Sequence, residues 1–288
     1  MEYLSGATGY TILSRNNKVI LLLADIHDGV NYCNRNQPHI KISDFLKKKK
    51  NNNQILLEES INDSDLNLTD LWPNADHTRQ LKILKENHKN VIPTDIRPYL
   101  IPFSWQLLES SENSQSASAI NKYKELSINK YLFYFSEFFK QRGKVYERFI
   151  LPYYEFIEDE DKKILIKIFS AIKNLFIKNF KKYENLTLNE ILKKDEDYMH
   201  SIDNINSLIM EYYILLLIFS DKRDSIIHTG LAHSSRLKII LVEEFKFKIV
   251  EDVSMTQIEN YTGSDNTNAC ILNPSNSEFF NKKKSMYR

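Results

Sequence analysis

The stretch Val19 to Gly29, VILLLADIHDG, constrains the fold more than any other part of the chain. Five consecutive aliphatic residues, Val19 to Leu23, are too few for a buried helix and have no polar face, so they read as a strand covered on both sides. Asp25, His27 and Asp28 follow at once. A buried strand that ends in ionisable side chains presents them at its C-terminal edge, where open α/β sheets bind ligands.

Three further short aliphatic runs end in the same way. Gln54 to Leu57 leads into Glu58 and Glu59, Val91 to Pro93 into Asp95 and Arg97, and Ser225 to Ile227 into the loop His228 to Arg236, which holds His228 and His233. A hairpin, residues 8–14 and 18–24 around the turn Arg15-Asn16-Asn17, feeds the first strand. Helices are expected near Ile40 to Lys49, from Asp76 or Thr78 to His88, and over Arg236 to Phe245, with a last strand at Phe247 to Val253. Alternating strands and helices favour a parallel sheet. Between about residues 105 and 204 strand signals vanish, and amphipathic segments such as the Ile164, Ile168, Ile172, Phe176, Phe180 stripe predict helices. The expected fold is therefore α/β, a mainly parallel central sheet (residues 1–104 and 205–256) with an all-helical insertion or cap (105–204). A polar, loosely ordered tail is expected over 257–288.

Composition narrows the function classes. Lys and Arg number 39 against 38 Asp and Glu, so no global basic field points to nucleic acid, and the lysine runs Lys47 to Lys50 and Lys282 to Lys284 read as solvated loops. The apolar runs are too short for a membrane span. Cys33 and Cys270 are the only cysteines. They form no metal motif and no disulfide framework, which sets a reducing, cytoplasmic location as the expectation. The start of the chain lacks the basic and apolar regions of a signal peptide. A bias to Lys, Asn, Ile and Tyr resembles the coding of an AT-rich genome, such as that of a large DNA virus or a parasite.

If the strands are parallel neighbours, the four clusters share one sheet edge. Two imidazoles and a carboxylate there can hold a divalent metal or activate a water, with Glu58 as general base. Arg97 can bind a carboxylate or an oxyanion, or it and Asp95 can be a structural ion pair. Glu59 should point away from Glu58. His77, His228 and Asp95 are candidates for touching substrate. Ser234 and Ser235 lack the G-x-S-x-G elbow of a serine nucleophile.

The order of strand and ADIH (Ala24 to His27), strand and Glu58, strand and Asp95-Ile96-Arg97, a helical stretch, then helix, strand and GLAH (Gly230 to His233) resembles the TIKI/TraB and erythromycin-esterase-like superfamily, with Ala24 in place of the first glycine. The resemblance covers about residues 8–104 and 203–254. It implies a hydrolase of amide or ester bonds acting on a small molecule or peptide, with His27, Glu58 and His233 at its centre. In the TIKI manner these three and Asp25 would hold one divalent ion (Mn, Co or Zn); the esterase branch needs none. LADIHDG also resembles the opening of calcineurin-like metallophosphoesterases, although no GD-x-x-D or GNH[DE] follows. A non-catalytic binding module on the same fold is the third reading.

Overall fold

The computed structural model describes residues 2–26, 31–34, 36–61, 79–102, 123–263 and 267–276. In chain order the elements are β1 (Tyr3–Ser5), β2 (Gly9–Arg15), β3 (Lys18–Asp25), β4 (Asn31–Tyr32), β5 (His39–Lys41), α1 (Ile42–Lys49), β6 (Asn53–Ser60), α2 (Arg79–Asn87) and β7 (Val91–Asp95). Among the described residues the helices that follow are α3 (Ile128–Tyr131), α4 (Phe133–Phe138), α5 (Lys144–Phe149), α6 (Leu151–Tyr154), α7 (Asp159–Phe180), α8 (Leu188–Lys194) and α9 (Glu196–Ser220). The last four are β8 (Asp224–Gly230), α10 (Leu231–Glu243), β9 (Lys248–Ser254) and β10 (Asn268–Leu272). The chain divides into two compact units, one of residues 1–59, 75–93 and 222–288, the other of 60–74 and 94–221.

The first unit is α/β. Its main sheet has the order β7-β6-β8-β3-β2-β9. β6, β8 and β3 run parallel, while β2 pairs antiparallel with β3 and β9. The aliphatic run sits at the heart of this sheet: Val19 to Leu23 are all buried, as a strand flanked on both sides and covered on both faces must be. The β2–β3 turn falls on Asn16 and Asn17, with Asn16 in the left-handed region at φ 53°, which asparagine tolerates. β7, which contains Pro93, is an edge strand, where proline's missing N–H is least costly. At the other edge β9 carries a bulge: Ile12 pairs with Glu251 and Leu13 with Ile249, so Val250 is an extra residue. Such irregularity blunts an edge against pairing with other chains.

Parallel register puts Leu23 and Leu57 beside His228. Their face, with Leu21, Ile55 and Ile226, packs on Phe45 and Leu46 of α1 and Leu81 and Leu84 of α2. The opposite face receives α10. Its Lys238 ammonium, buried to 7% side-chain exposure, lies 2.5 Å from Asp252 Oδ2 on β9 and donates to Thr256. Thr11 of β2 donates to the same carboxylate. Burial pushes the Asp252 carboxyl up, but the hydrogen bonds from Lys238, Thr11 and Thr256 outweigh it and hold it below the usual carboxylate range.

A second, four-stranded sheet has the order β4-β10-β1-β5. It was not legible in the sequence, because strands of two to five residues show no periodicity. β10 corrects the expected tail: Asn268 to Leu272 pair with β1 and β4, and Ala269 and Ile271 are buried. Residues 277–288 of that tail lie outside the described residues. The cysteines are also corrected. Cys33 and Cys270 form a disulfide across a sequence separation of 237, beside the pairing of Ala269 with Tyr32.

The second unit is helical. In α7 the buried residues are Asp161, Leu165, Ile172 and Phe176, with Ile164 and Ile168 only half-buried. A strict four-residue row turns about 40° per step on a 3.6-residue helix, so the stripe read from the sequence drifts off the buried face. Phe135, Phe138, Phe139, Phe169, Phe176 and Tyr212 form a continuous ring cluster. Thr187 and Glu190 cap α8 reciprocally. By length and composition Asp197–Ser220 of α9 could cross a membrane, yet 78% of its apolar window is buried, as in a core helix.

Two stability measurements test this arrangement. The disulfide closes a very long loop, so Cys33→Ser with Cys270→Ser, or reductant on the native chain, should lower unfolding stability by about 2–5 kcal/mol; an unchanged denaturation midpoint would contradict it. Lys238→Met should cost about 1–3 kcal/mol at neutral pH. Because the folded Asp252 carboxyl is held low, its contribution is complete above the ordinary carboxylate pKa of about 4 and is lost as pH falls through the lower folded value. The gap between wild type and variant should therefore close on acidification, as read by urea titrations at several pH values.

Candidate functional site

The pleat sends successive residues of a strand to opposite faces. Glu58 and Glu59 accordingly part, and so do His228 and Thr229. The strand-end clusters expected to share one pocket divide between the two faces of the sheet.

On the α10 face, β8 runs straight into the helix, with Gly230 as its N-cap. His233 is thus in the first turn of α10, and His228 is inside β8; the expected loop from His228 to Arg236 does not exist. Glu58 of β6 reaches this helix start. Its Oε2 accepts the Gly230 N–H at 2.7 Å, and its Oε1 is 3.4 Å from His233 Nε2. The two side chains are 7% and 9% exposed. A carboxylate survives such burial because it is paired and hydrogen-bonded, and the positive end of a helix dipole adds to its stabilisation.

One turn further on, Arg236 places Nη2 3.1 Å from His233 Nδ1. A guanidinium can only donate, so Nδ1 accepts and the neutral ring carries its proton on Nε2, the nitrogen that faces Glu58. Both ring nitrogens are thereby committed. His233 sits between Glu58 and Arg236 and orients the carboxylate. Arg236 was missed in the sequence. The H-x-x-R spacing that reveals it has meaning only if the helix begins before His233.

On the opposite face, Asp25 Oδ2 lies 3.7 Å from His228 Nε2, with both side chains at most 4% exposed. Asp25 Oδ1 accepts the Ile26 N–H at 2.8 Å, and His228 Nε2 donates to the Gly6 carbonyl at 3.3 Å. Gly6 has φ +106°, and a Cβ there would meet Ile42 Cγ2 at 2.8 Å, so the close approach of this carbonyl requires glycine. Burial and then the charge of Asp25 raise the pKa of the Tyr32 hydroxyl. Glu59 is buried on the same side.

Asp95 and Arg97 belong to the helical unit. The guanidinium closes a fork on its neighbour, Nε to Oδ1 at 2.8 Å and Nη2 to Oδ2 at 3.0 Å, and the Arg97 backbone N–H adds a third bond at 3.1 Å. Bidentate pairs of this kind fix geometry strongly. Ser234 is a structural residue: Thr229 Oγ1 is 2.8 Å from its hydroxyl, and the Leu23 carbonyl 3.4 Å. His27, Asp28 and His77 lie outside the described residues. Among the described residues no group of three or more His, Cys, Asp or Glu side chains gathers as a metal site would require.

The tautomer is directly measurable. Nitrogen-15 imidazole spectra of the wild type should show His233 protonated at Nε2 at neutral pH, and Arg236→Met should release that preference. A wild-type ring protonated at Nδ1 would overturn the assignment of roles to Glu58 and His233. Comparison of the chain with family models, with curated proteins and with solved structures finds no match.

Proposed function

We propose that the chain hydrolyses an ester or amide bond of a small molecule or peptide, with Glu58 as the general base. The reading is supported by one observation above the others: a nearly buried carboxylate at a strand end, held by a helix N-terminal N–H and a histidine whose tautomer is fixed by Arg236. It agrees with what the resemblance to the TIKI/TraB and erythromycin-esterase-like superfamily implies.

In this reading a water donates a hydrogen bond to Glu58. As the water oxygen adds to the carbonyl carbon, its proton passes to the carboxylate. When the tetrahedral intermediate collapses, the same proton goes to the departing alkoxide or amine. His233 and the Gly230 N–H keep the carboxylate aimed throughout, so no side chain has to reorganise during the reaction.

The metal-assisted version fits the described residues poorly. Metal-bound histidines donate their second ring nitrogen to a carboxylate or carbonyl, whereas His233 Nδ1 faces a guanidinium. Asp25, a candidate ligand, is on the other face of the sheet from Glu58. The mechanism proposed is therefore the metal-free one. The Cys33–Cys270 disulfide argues for an oxidising compartment over the cytoplasmic location expected from the sequence.

The test is hydrolysis of a panel of p-nitrophenyl esters and peptide amides by wild type and Glu58→Gln, with circular dichroism as the fold check. Loss of the base should lower kcat/KM by about 10²–10⁴-fold in a folded variant. No turnover by the wild type across the panel, or equal turnover by the variant, removes the proposal.

A further inference from the structure

The end of the main sheet opposite Glu58 carries charge that the hydrolytic reading does not use. α1 and α2 lie on the same face of the sheet, and each feeds a strand at its N-terminal edge, β6 and β7. Their C-terminal ends meet there. Lys50 Nζ is 2.7 and 2.9 Å from the two ring nitrogens of His88, and the Asn90 amide donates to the Lys50 carbonyl. Residues 47–53 and 85–90 together hold six lysines against one carboxylate, Glu86, in a chain whose net charge is +1. The imbalance is local, and Lys47, Lys48 and Lys89 are exposed. The crowding is felt within the patch: desolvation, then Lys50 and Lys47, lower the pKa of His88. Helix C-termini attract some of these cations, but a fractional dipole charge per helix does not balance such an excess.

A concentration of ammonium groups of this kind is complementary to a polyanion. Two observations select which. The described residues of the two C-terminal ends, Lys47 to Asn53 and Lys85 to Asn90, contain no Phe, Tyr or Trp, and the ring of His88 is engaged edge-on by Lys50, so base stacking, the sequence-tolerant part of single-strand binding, has no extended platform. The Cys33–Cys270 disulfide belongs to compartments where the abundant polyanions are not nucleic acids or the cytoplasmic leaflet. We infer that the α1/α2 end of the α/β unit is a docking surface for a sulfated polysaccharide, with Lys47, Lys48, Lys50 and Lys89 facing its sulfates. Amide side chains at Asn51, Asn52 and Asn90 supply donors for sugar hydroxyls. The inference is independent of the hydrolytic mechanism, because it uses none of the residues around Glu58.

The probe is a heparin octasaccharide, with titrations at several salt concentrations, against dextran, RNA of equal charge and phosphatidylserine vesicles. Wild type should bind the octasaccharide and not dextran. Lys47→Glu with Lys48→Glu should weaken binding about tenfold or more and reduce the salt slope by about two, with the circular dichroism spectrum unchanged. The milder pair Lys47→Gln and Lys89→Gln should give the same direction of change if the first variant folds poorly. Unchanged affinity in these variants overturns the inference, as does tighter binding to RNA or to vesicles. Free Cys33 and Cys270 thiols, trapped by alkylation of acid-quenched native protein, also overturn it, since the choice of a sulfated glycan rests on the oxidised pair.

Discussion

The parallel ladder that joins β6, β8 and β3 governs everything else about the α/β unit. Its register lines Leu57, His228 and Leu23 up across three strands, and the pleat then decides the surroundings of each following side chain. Asp25, His228 and Glu59 are sent towards the small β4-β10-β1-β5 sheet and the α1/α2 side. Glu58 and Thr229 are sent to α10. A one-residue slip in any of these strands would exchange the two sets, and in β6 it would send Glu58 to the α1/α2 side and Glu59 to α10. The long aliphatic runs therefore do more than fill a core. They fix which of two adjacent acids, Glu58 or Glu59, can meet the start of a helix.

At that helix start, chemistry follows from what each group can and cannot donate. Glu58 accepts from a backbone N–H that no helical carbonyl claims, because the first N–H groups of a helix have no intrahelical partner. His233 has one proton for two neighbours, and Arg236 settles where it resides, because a guanidinium has no lone pair to offer. The outcome is a carboxylate held by the Gly230 N–H and faced by the Nε2 side of the His233 ring. The Asp25–His228 pair is built differently. There the imidazole proton goes to the Gly6 carbonyl, and the Asp25 carboxylate is tied to its own chain at Ile26. This second pair joins the tip of the β1–β2 connection to the central strand, a structural duty that strand-end position alone would not distinguish from a catalytic one.

Much of this was legible before any coordinates, and the parts that were not have a common cause. Val19 to Leu23, the Asn16–Asn17 turn, the edge position of Pro93 and the separation of Glu58 from Glu59 all follow from local rules, and the structure agrees with each. The sequence alone reads His233 as part of a loop, in which Gly230 lets the backbone turn sharply, a propensity glycine carries at any position. Tertiary contacts override that propensity: Thr229 and the Leu23 carbonyl satisfy Ser234, and Glu58 supplies the acceptor for the helix start. The small sheet escaped because its strands are stabilised by partners up to about 270 residues away, as in the pairing of Tyr3 with Leu272. No periodicity within three residues can announce such a partner.

The disulfide shows the same limit more sharply. Two cysteines 237 positions apart carry no spacing signal, and their pairing depends on β10 lying between β1 and β4. Once that order is known, the bond has a clear physical role. β4 has two residues and β10 five, too few hydrogen bonds to hold a strand of late sequence against one of early sequence at low entropic cost. A covalent link removes that cost chiefly from the unfolded chain, and it keeps Tyr32 beside the Asp25–His228 pair. The second sheet thus depends on oxidation in a way the first does not: the aliphatic ladder folds by burial alone, while β4 and β10 are held at its rim by a bond whose persistence is set by the surroundings of the protein.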